Sequence, residues 1–247
     1  MRVAALYDIH GNLPALEAVL HDVREAHVDR IVVGGDVVPG PMPHETLTRL
    51  SELDVPVQYI YGNCEVAVLA QMAGKDPGRM PEQAREAIRW TAEQLRLRYE
   101  PVFASWPKTI RLDVDGLGAV LFCHGTPRDE NEIFTRLTPA ARLHSIFDGV
   151  DAQVVVCGHS HMQFDLMVGN VRVVNAGSVG MPFGSTGAYW LLLGPDVQLK
   201  RTQYDLTNAA ERIRQSVYPQ ADDFASRSVL HPPSEAETLQ LFAKAEP

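Results

Sequence analysis

The chain has 247 residues, 45% apolar and 21% charged, a size and balance that fit one large α/β domain whose core needs no disulfide or zinc staple. With 22 Lys and Arg against 31 Asp and Glu the net charge is −9 and no Lys/Arg-rich run occurs, which argues against capture of long nucleic acids. Small phosphate esters stay open, because bound cations can reverse the local field inside an acidic protein.

Residues 3–7 read as a buried strand, and Asn12 with Pro14 opens a helix carrying Leu13, Leu16, Leu20 and Val23 on one face. Strand signals at 31–33 and 57–61 flank a helical stretch at 45–53, which implies a parallel or mostly parallel sheet. Gly74, Pro77, Gly78 and Pro81 then lead into a charged helix over 81–99, with a ragged apolar stripe of Ala84, Ile88, Trp90, Leu95 and Leu97. Residues 74–106 are therefore expected to be a helical insertion on the surface that shapes substrate access without belonging to the catalytic core. Residues 110–114 and 119–123 form a hairpin across Asp115-Gly116, 154–157 a buried strand, 166–168 and 171–174 a second hairpin, and 189–193 with 197–204 a third. Residues 207–247 read as two or three short surface helices, a C-terminal extension of a single domain spanning 1–247.

Cys64, Cys123 and Cys157 form no C-x-x-C pair. Cys123 and Cys157, inside apolar strands, read as small buried hydrophobes. The N-terminus turns acidic at Asp8, too early for a signal peptide, and no apolar run approaches the ~18 residues of a membrane span. A cytoplasmic protein without membrane contact is the expectation.

Five apolar strands end in residues able to hold a metal: Asp8 and His10, Asp36, Asn63, His124, and His159 with His161. Ligands of open α/β sheets bind beyond the carboxyl ends of the strands, so the five ends are expected to converge. The spacing of two within Asp8/His10 and His159/His161 would put each pair on one face of extended backbone. Singly, each residue is better explained by a capping Asp or a satisfied core histidine; jointly, five strand-end placements outweigh that explanation and form a mixed oxygen and nitrogen set suited to manganese, iron, zinc, cobalt or nickel. Seven ligands exceed one tetrahedral ion and suit two divalent ions sharing a carboxylate. His21, His27, His44 and His144 lie away from the strand ends and read as solvent-facing, and Ser178 as a turn residue.

In order along the chain, Asp8-Ile9-His10-Gly11-Asn12, Gly34-Gly35-Asp36, Gly62-Asn63-Cys64-Glu65, His124-Gly125-Thr126-Pro127 and Gly158-His159-Ser160-His161 resemble the five motifs of the calcineurin-like metallophosphoesterases. Residues 36–43, with Gly40-Pro41-Met42-Pro43, resemble the Ser/Thr phosphatase-like or dinucleoside-tetraphosphatase-like subgroup, and Asn175-Ala176-Gly177-Ser178-Val179-Gly180 resembles the turn after the last motif in the small bacterial phosphodiesterase members. The resemblance implies two mixed β-sheets packed as a sandwich and flanked by helices, a four-layer αββα fold. It implies that Asp8, His10 and His161 hold one metal, Asn63, His124 and His159 the other, and that Asp36 bridges them. Asp36, Asn63 and His124 would then serve catalysis, with a bridging hydroxide attacking phosphorus in line. Asn12, Cys64 and Arg128 are candidate substrate contacts; Arg128 reads equally well as a surface residue of an acidic stretch.

The resulting expectation is a dinuclear hydrolase of small phosphate esters, with a phosphodiester or nucleotide polyphosphate ester ahead of a phosphomonoester. A monoesterase or protein phosphatase, a non-catalytic scaffold of the same fold, and a nuclease are the alternatives, and a homo-oligomer is left open. Cys64 departs from the histidine that many members carry, and an ordinary thiol is mostly neutral at pH 7. Losing a cation should penalise a dianionic monoester more than a monoanionic diester.

Overall fold

A computed structural model describes residues 1–245; residues 246 and 247 of the expected C-terminal extension, and the side chains of Leu97, Lys244 and Ala245, lie outside what is described. The chain opens with β1 (Val3–Leu6), α1 (Leu13–Glu25), β2 (Arg30–Val33), α2 (Pro43–Ser51) and β3 (Val57–Tyr59), followed by α3 (Asn63–Met72) and α4 (Glu82–Ser105). Next come β4 (Ile110–Val114), β5 (Gly118–Phe122), α5 (Ala140–Phe147), β6 (Val154–Cys157), β7 (Phe164–Val168), β8 (Val171–Asn175), β9 (Ala188–Leu193) and β10 (Val197–Thr202). It closes with α6 (Leu206–Arg214), α7 (Ala221–Phe224), a π-helical turn over 225–230 and α8 (Glu235–Ala245).

Two five-stranded sheets result, in the orders β10-β9-β1-β2-β3 and β4-β5-β6-β8-β7. In each, three parallel strands, β1-β2-β3 and β5-β6-β8, are flanked by antiparallel ones. The interior strands β1 (VAAL) and β6 (VVVC) are buried throughout, as strands covered on both faces must be. Val3, Ala5 and Tyr7 meet Val120, Phe122, Val154 and Val156 in the layer between the sheets. Ala4, Leu6, Ile31 and Val33 face α1 to α4 on one outer side, and Val155, Cys157 and Val173 face α5 on the other. The architecture is the four-layer αββα sandwich expected from the sequence.

Several helices differ from expectation. The helix expected over 81–99 runs from Glu82 to Ser105, through Pro101, and is not a surface insertion: Ile88, Ala92, Leu95, Tyr99 and Phe103, with Trp106, join the main core beside Leu47, Leu50, Val68 and Met72. Ala84 is exposed, so the stripe starts one turn later than read. Helices α3 and α5 have no counterpart in the sequence reading: α3 opens inside a motif read only for its ligands, and α5 has eight residues, too few for its period to stand out. The C-terminal helices are likewise not purely superficial, since Ala209, Ala210, Ile213, Tyr218, Phe224 and Val229 form a cluster with Ala87 of α4.

Phe103 is 1% exposed and lies 5.0 Å, edge to face, from Trp106. Phe103→Ala should cost about 3–5 kcal/mol. Urea denaturation checks this; a loss below about 0.5 kcal/mol, the range for surface substitutions, would return α4 to the surface.

Candidate metal centre

The parallel strands of both sheets point their carboxyl ends at one cleft. Asp8 and His10 follow β1, Asp36 follows β2, His124 follows β5, and His159 and His161 follow β6. Asn63 is the first residue of α3 and not strictly a strand end. Backbone hydrogen bonds join the loops: Asp8 N–H donates to Gly35 O (3.1 Å), His10 N–H to Asp36 O (3.0 Å) and Gly158 N–H to His124 O (2.9 Å).

Six non-glycine residues among those described have positive φ, and five of them are Asp8 (+53°), His10 (+48°), Asp36 (+51°), His159 (+64°) and His161 (+58°). The two i, i+2 pairs thus converge by left-handed reversals and not by the pleat of extended backbone. Such conformations cost on the order of 1–3 kcal/mol each and persist where the surroundings over-determine them. Close approach adds its own constraint: a Cβ on Gly62 would sit 2.2 Å from Asp36 Oδ1.

Asp8 is fully buried, and its Oδ1 has no hydrogen-bond partner although three imidazole nitrogens surround it: His161 Nε2 at 3.4 Å, His124 Nε2 at 3.9 Å and His10 Nε2 at 4.0 Å. An orphaned buried carboxylate oxygen is costly, and a cation among these donors would satisfy it. Asp36 turns one oxygen to each side, Oδ2 lying 3.8 Å from His10 Nε2 and Oδ1 3.5 Å from His124 Nε2. Asn63 Oδ1 lies 3.0 Å from His124 Nε2. Asp8/His10/His161 and Asp36/His124/His159 each bring ligand atoms within 4.8 Å, as does His10/Asp36/Cys64.

The imidazoles are oriented from behind. Nδ1–H of His124 donates to Gly34 O (2.9 Å) and Nδ1–H of His161 to Met181 O (2.7 Å), which turns each Nε2 atom toward the cleft. Burial pushes His10 and His159 down to about 4. Burial acts on His124 in the same sense, but the Asp36 and Asp8 charges outweigh it and raise His124 to about 10. Asp36, opposed by burial but facing His124 and His10, stays well below the usual carboxylate range.

Of the candidate substrate contacts, Cys64 is at the cleft, where its S–H donates to Asp36 Oδ2 (2.9 Å) and its N–H to Asp36 Oδ1 (2.9 Å). Asn12 is not available to substrate: it is fully buried, its Oδ1 accepts from Ala15 N–H at the start of α1 (3.2 Å), and its Nδ2 donates to Gly180 O (2.9 Å). Arg128 is also corrected, because Nε and Nη2 grip Glu132 at 2.8 and 2.5 Å and Nη1 donates to Ser145 O (2.8 Å), the surface alternative. Cys123 and Cys157 are buried, Ser178 Oγ–H donates to Asp8 O (2.8 Å) in its turn, and His21, His27, His44 and His144 are exposed. No helix among the described residues is long and apolar enough to cross a membrane.

Carboxylates and imidazoles gathered at the strand ends of an αββα sandwich are the marks of a metal-dependent phosphoesterase. The family model described as the calcineurin-like phosphoesterase superfamily domain matches residues 1–194, and the chain belongs to that family of phosphoester hydrolases. An uncharacterized protein of Methanocaldococcus jannaschii is 27% identical over 239 residues, 88% of this chain and 94% of its own length. Phosphodiesterase YfcE of Escherichia coli is 25% identical over 206 residues, 80% of this chain and 89% of its own. The crystal structure of a metallophosphoesterase from Sphaerobacter thermophilus superposes with a TM-score of 0.70 at 27% identity, over 93% of this chain and 100% of its own.

Glu65 is the residue that the sequence reading left without a role. It is fully buried, and its carboxylate accepts four backbone N–H groups: Asp36 (2.8 Å) and Gly62 (2.7 Å) on Oε2, Val37 (2.8 Å) and Val38 (3.3 Å) on Oε1. Burial and the Asp36 charge push its pKa up to about 7 against the backbone donors. An acidic residue two positions after Asn63, at the first turn of a helix, was the available signal. Glu65→Ala would strand these donors and should destabilise the metal-free protein by on the order of 3–5 kcal/mol while lowering metal uptake. Denaturation and metal analysis check both; wild-type values would remove the clamp.

Proposed function

We propose that the cleft holds two divalent transition-metal ions and hydrolyses small phosphodiesters or nucleotide polyphosphate esters. The observation that carries this reading is the carboxylate of Asp36, which offers one oxygen to each histidine set. One ion would be held by Asp8, His10 and His161, the other by Asn63, His124 and His159, with Asp36 common to both. Divalent ions there supply Lewis acidity to a phosphoryl oxygen and a nucleophile drawn from water.

The chain's own groups set the geometry for that chemistry. Met181 O and Gly34 O hold two imidazoles with their Nε2 atoms facing inward, and the Cys64 N–H and S–H steady Asp36. The amide of Asn63, whose oxygen faces His124, is placed to donate to a bound phosphoryl group. The net charge of −9 favours a small substrate over a nucleic acid chain.

The preference for diesters draws support from Cys64 and from the phosphodiesterase name of the E. coli relative. Burial and the Asp36 charge push the Cys64 thiol well up, so it is neutral and adds no cation to receive a phosphomonoester dianion. A phosphomonoesterase is the competing reading.

Asp36→Asn should weaken binding of both ions, whereas His10→Ala should affect mainly one; metal analysis and titration distinguish these. A single ion per wild-type chain at saturating metal, or wild-type turnover in Asp36→Asn, overturns the two-ion reading. Cys64→His should shift relative kcat/KM toward monoesters by about tenfold, equivalent to about 1.4 kcal/mol of transition-state stabilisation. An unchanged ratio with both ions bound overturns the substrate preference.

A further inference from the structure

The loop between β8 and β9 backs His161 twice. Met181 O accepts from its Nδ1–H, and the Phe183 ring stacks on the imidazole, centroids 5.3 Å apart and planes 19° from parallel. That loop is in turn held by the C-terminal segment, which lies beyond the residues that match the family model. Gly184 N–H donates to Pro233 O (2.8 Å), just before α8, and Phe242 of α8 meets Phe183 edge to face, centroids 6.1 Å apart at 67°. Glu235, at the start of α8, pairs with Arg136.

We infer that α8 is a strap that positions the imidazole of His161 for metal binding through the stack Phe242–Phe183–His161. The inference rests on the two-ion reading of the cleft. An imidazole ligand is useful only if its lone pair is aimed, and the two contacts that aim His161 come from one short loop whose outer side is covered by Phe242. Neither contact reaches the ring of His124, which takes its orientation from Gly34 O on the far side of Asp36. Loosening α8 should therefore disturb one ion and spare the other, which a general loss of packing would not do. Phe242 is a positioning residue here: it touches Phe183 and not the ligands.

The test is calorimetric titration of Mn²⁺ into the metal-stripped full chain, with unfolding of the stripped protein recorded alongside. In Phe242→Ala one of two binding steps should weaken by about tenfold, the lower end of what outer-shell changes do to metal affinity. The other step and the unfolding midpoint of the stripped protein should stay at wild-type values, and Phe242→Tyr, which keeps the ring, should restore both steps. Unchanged titration in Phe242→Ala overturns the strap. Equal weakening of both steps with a lowered midpoint also overturns it, since that is a structural effect alone. A wild-type chain that saturates with one ion instead overturns the two-ion reading, and the selective strap with it, a result visible before any variant is made.

Discussion

One buried carboxylate, that of Glu65, ties together the loops that follow β2 and β3. Strands β2 and β3 are parallel neighbours, so their carboxyl ends lie side by side, and the N–H groups beyond both ends need acceptors away from water. Glu65 supplies them for Asp36, Val37, Val38 and Gly62 at once. The Asp36 side chain is then presented to the cleft, and Cys64 at the start of α3 donates to it twice. Residues from two strand ends thereby act as one rigid unit with a bifunctional carboxylate at its centre.

Backbone strain is concentrated at the strand ends that line the cleft. Five left-handed residues at on the order of 1–3 kcal/mol each amount to a cost comparable with the whole net stability of an ordinary domain. They persist because β1 and β6, from which four of the five follow, are buried on both faces and cannot shift, and because the loops beyond them are joined by backbone hydrogen bonds. The sandwich is the platform on which an otherwise unfavourable arrangement of anions and imidazoles is held.

The helical layers divide their work. Helix α4 completes the core over the first sheet through Ile88, Leu95 and Phe103, while its N-terminal half also receives the C-terminal cluster at Ala87 and Trp90. Met181 packs against that cluster from the loop that backs His161, so core packing and the orientation of the His161 ring are continuous along this side of the molecule.

The strands, the α1 cap and the seven metal-competent residues were legible in the sequence because each is local: a run of Val, Ile and Leu, an Asn before Pro, or a polar residue at the end of an apolar run. Their order along the chain was specific enough to indicate the family. The roles of Asn12 and Glu65 were decided by partners elsewhere in the chain, whereas Arg128 pairs with its near neighbour Glu132 and reaches further only to Ser145. Gly180 consumes the Asn12 amide, Glu132 and Ser145 consume the Arg128 guanidinium, and four N–H groups from two loops consume the Glu65 carboxylate. Burial of α4 was equally hidden, because a ragged stripe becomes core only when Leu47, Leu50 and Val68 are brought against it. Side-chain chemistry is written residue by residue, but whether a polar group is free to bind a ligand depends on which distant groups already occupy it, and tertiary structure alone sets that.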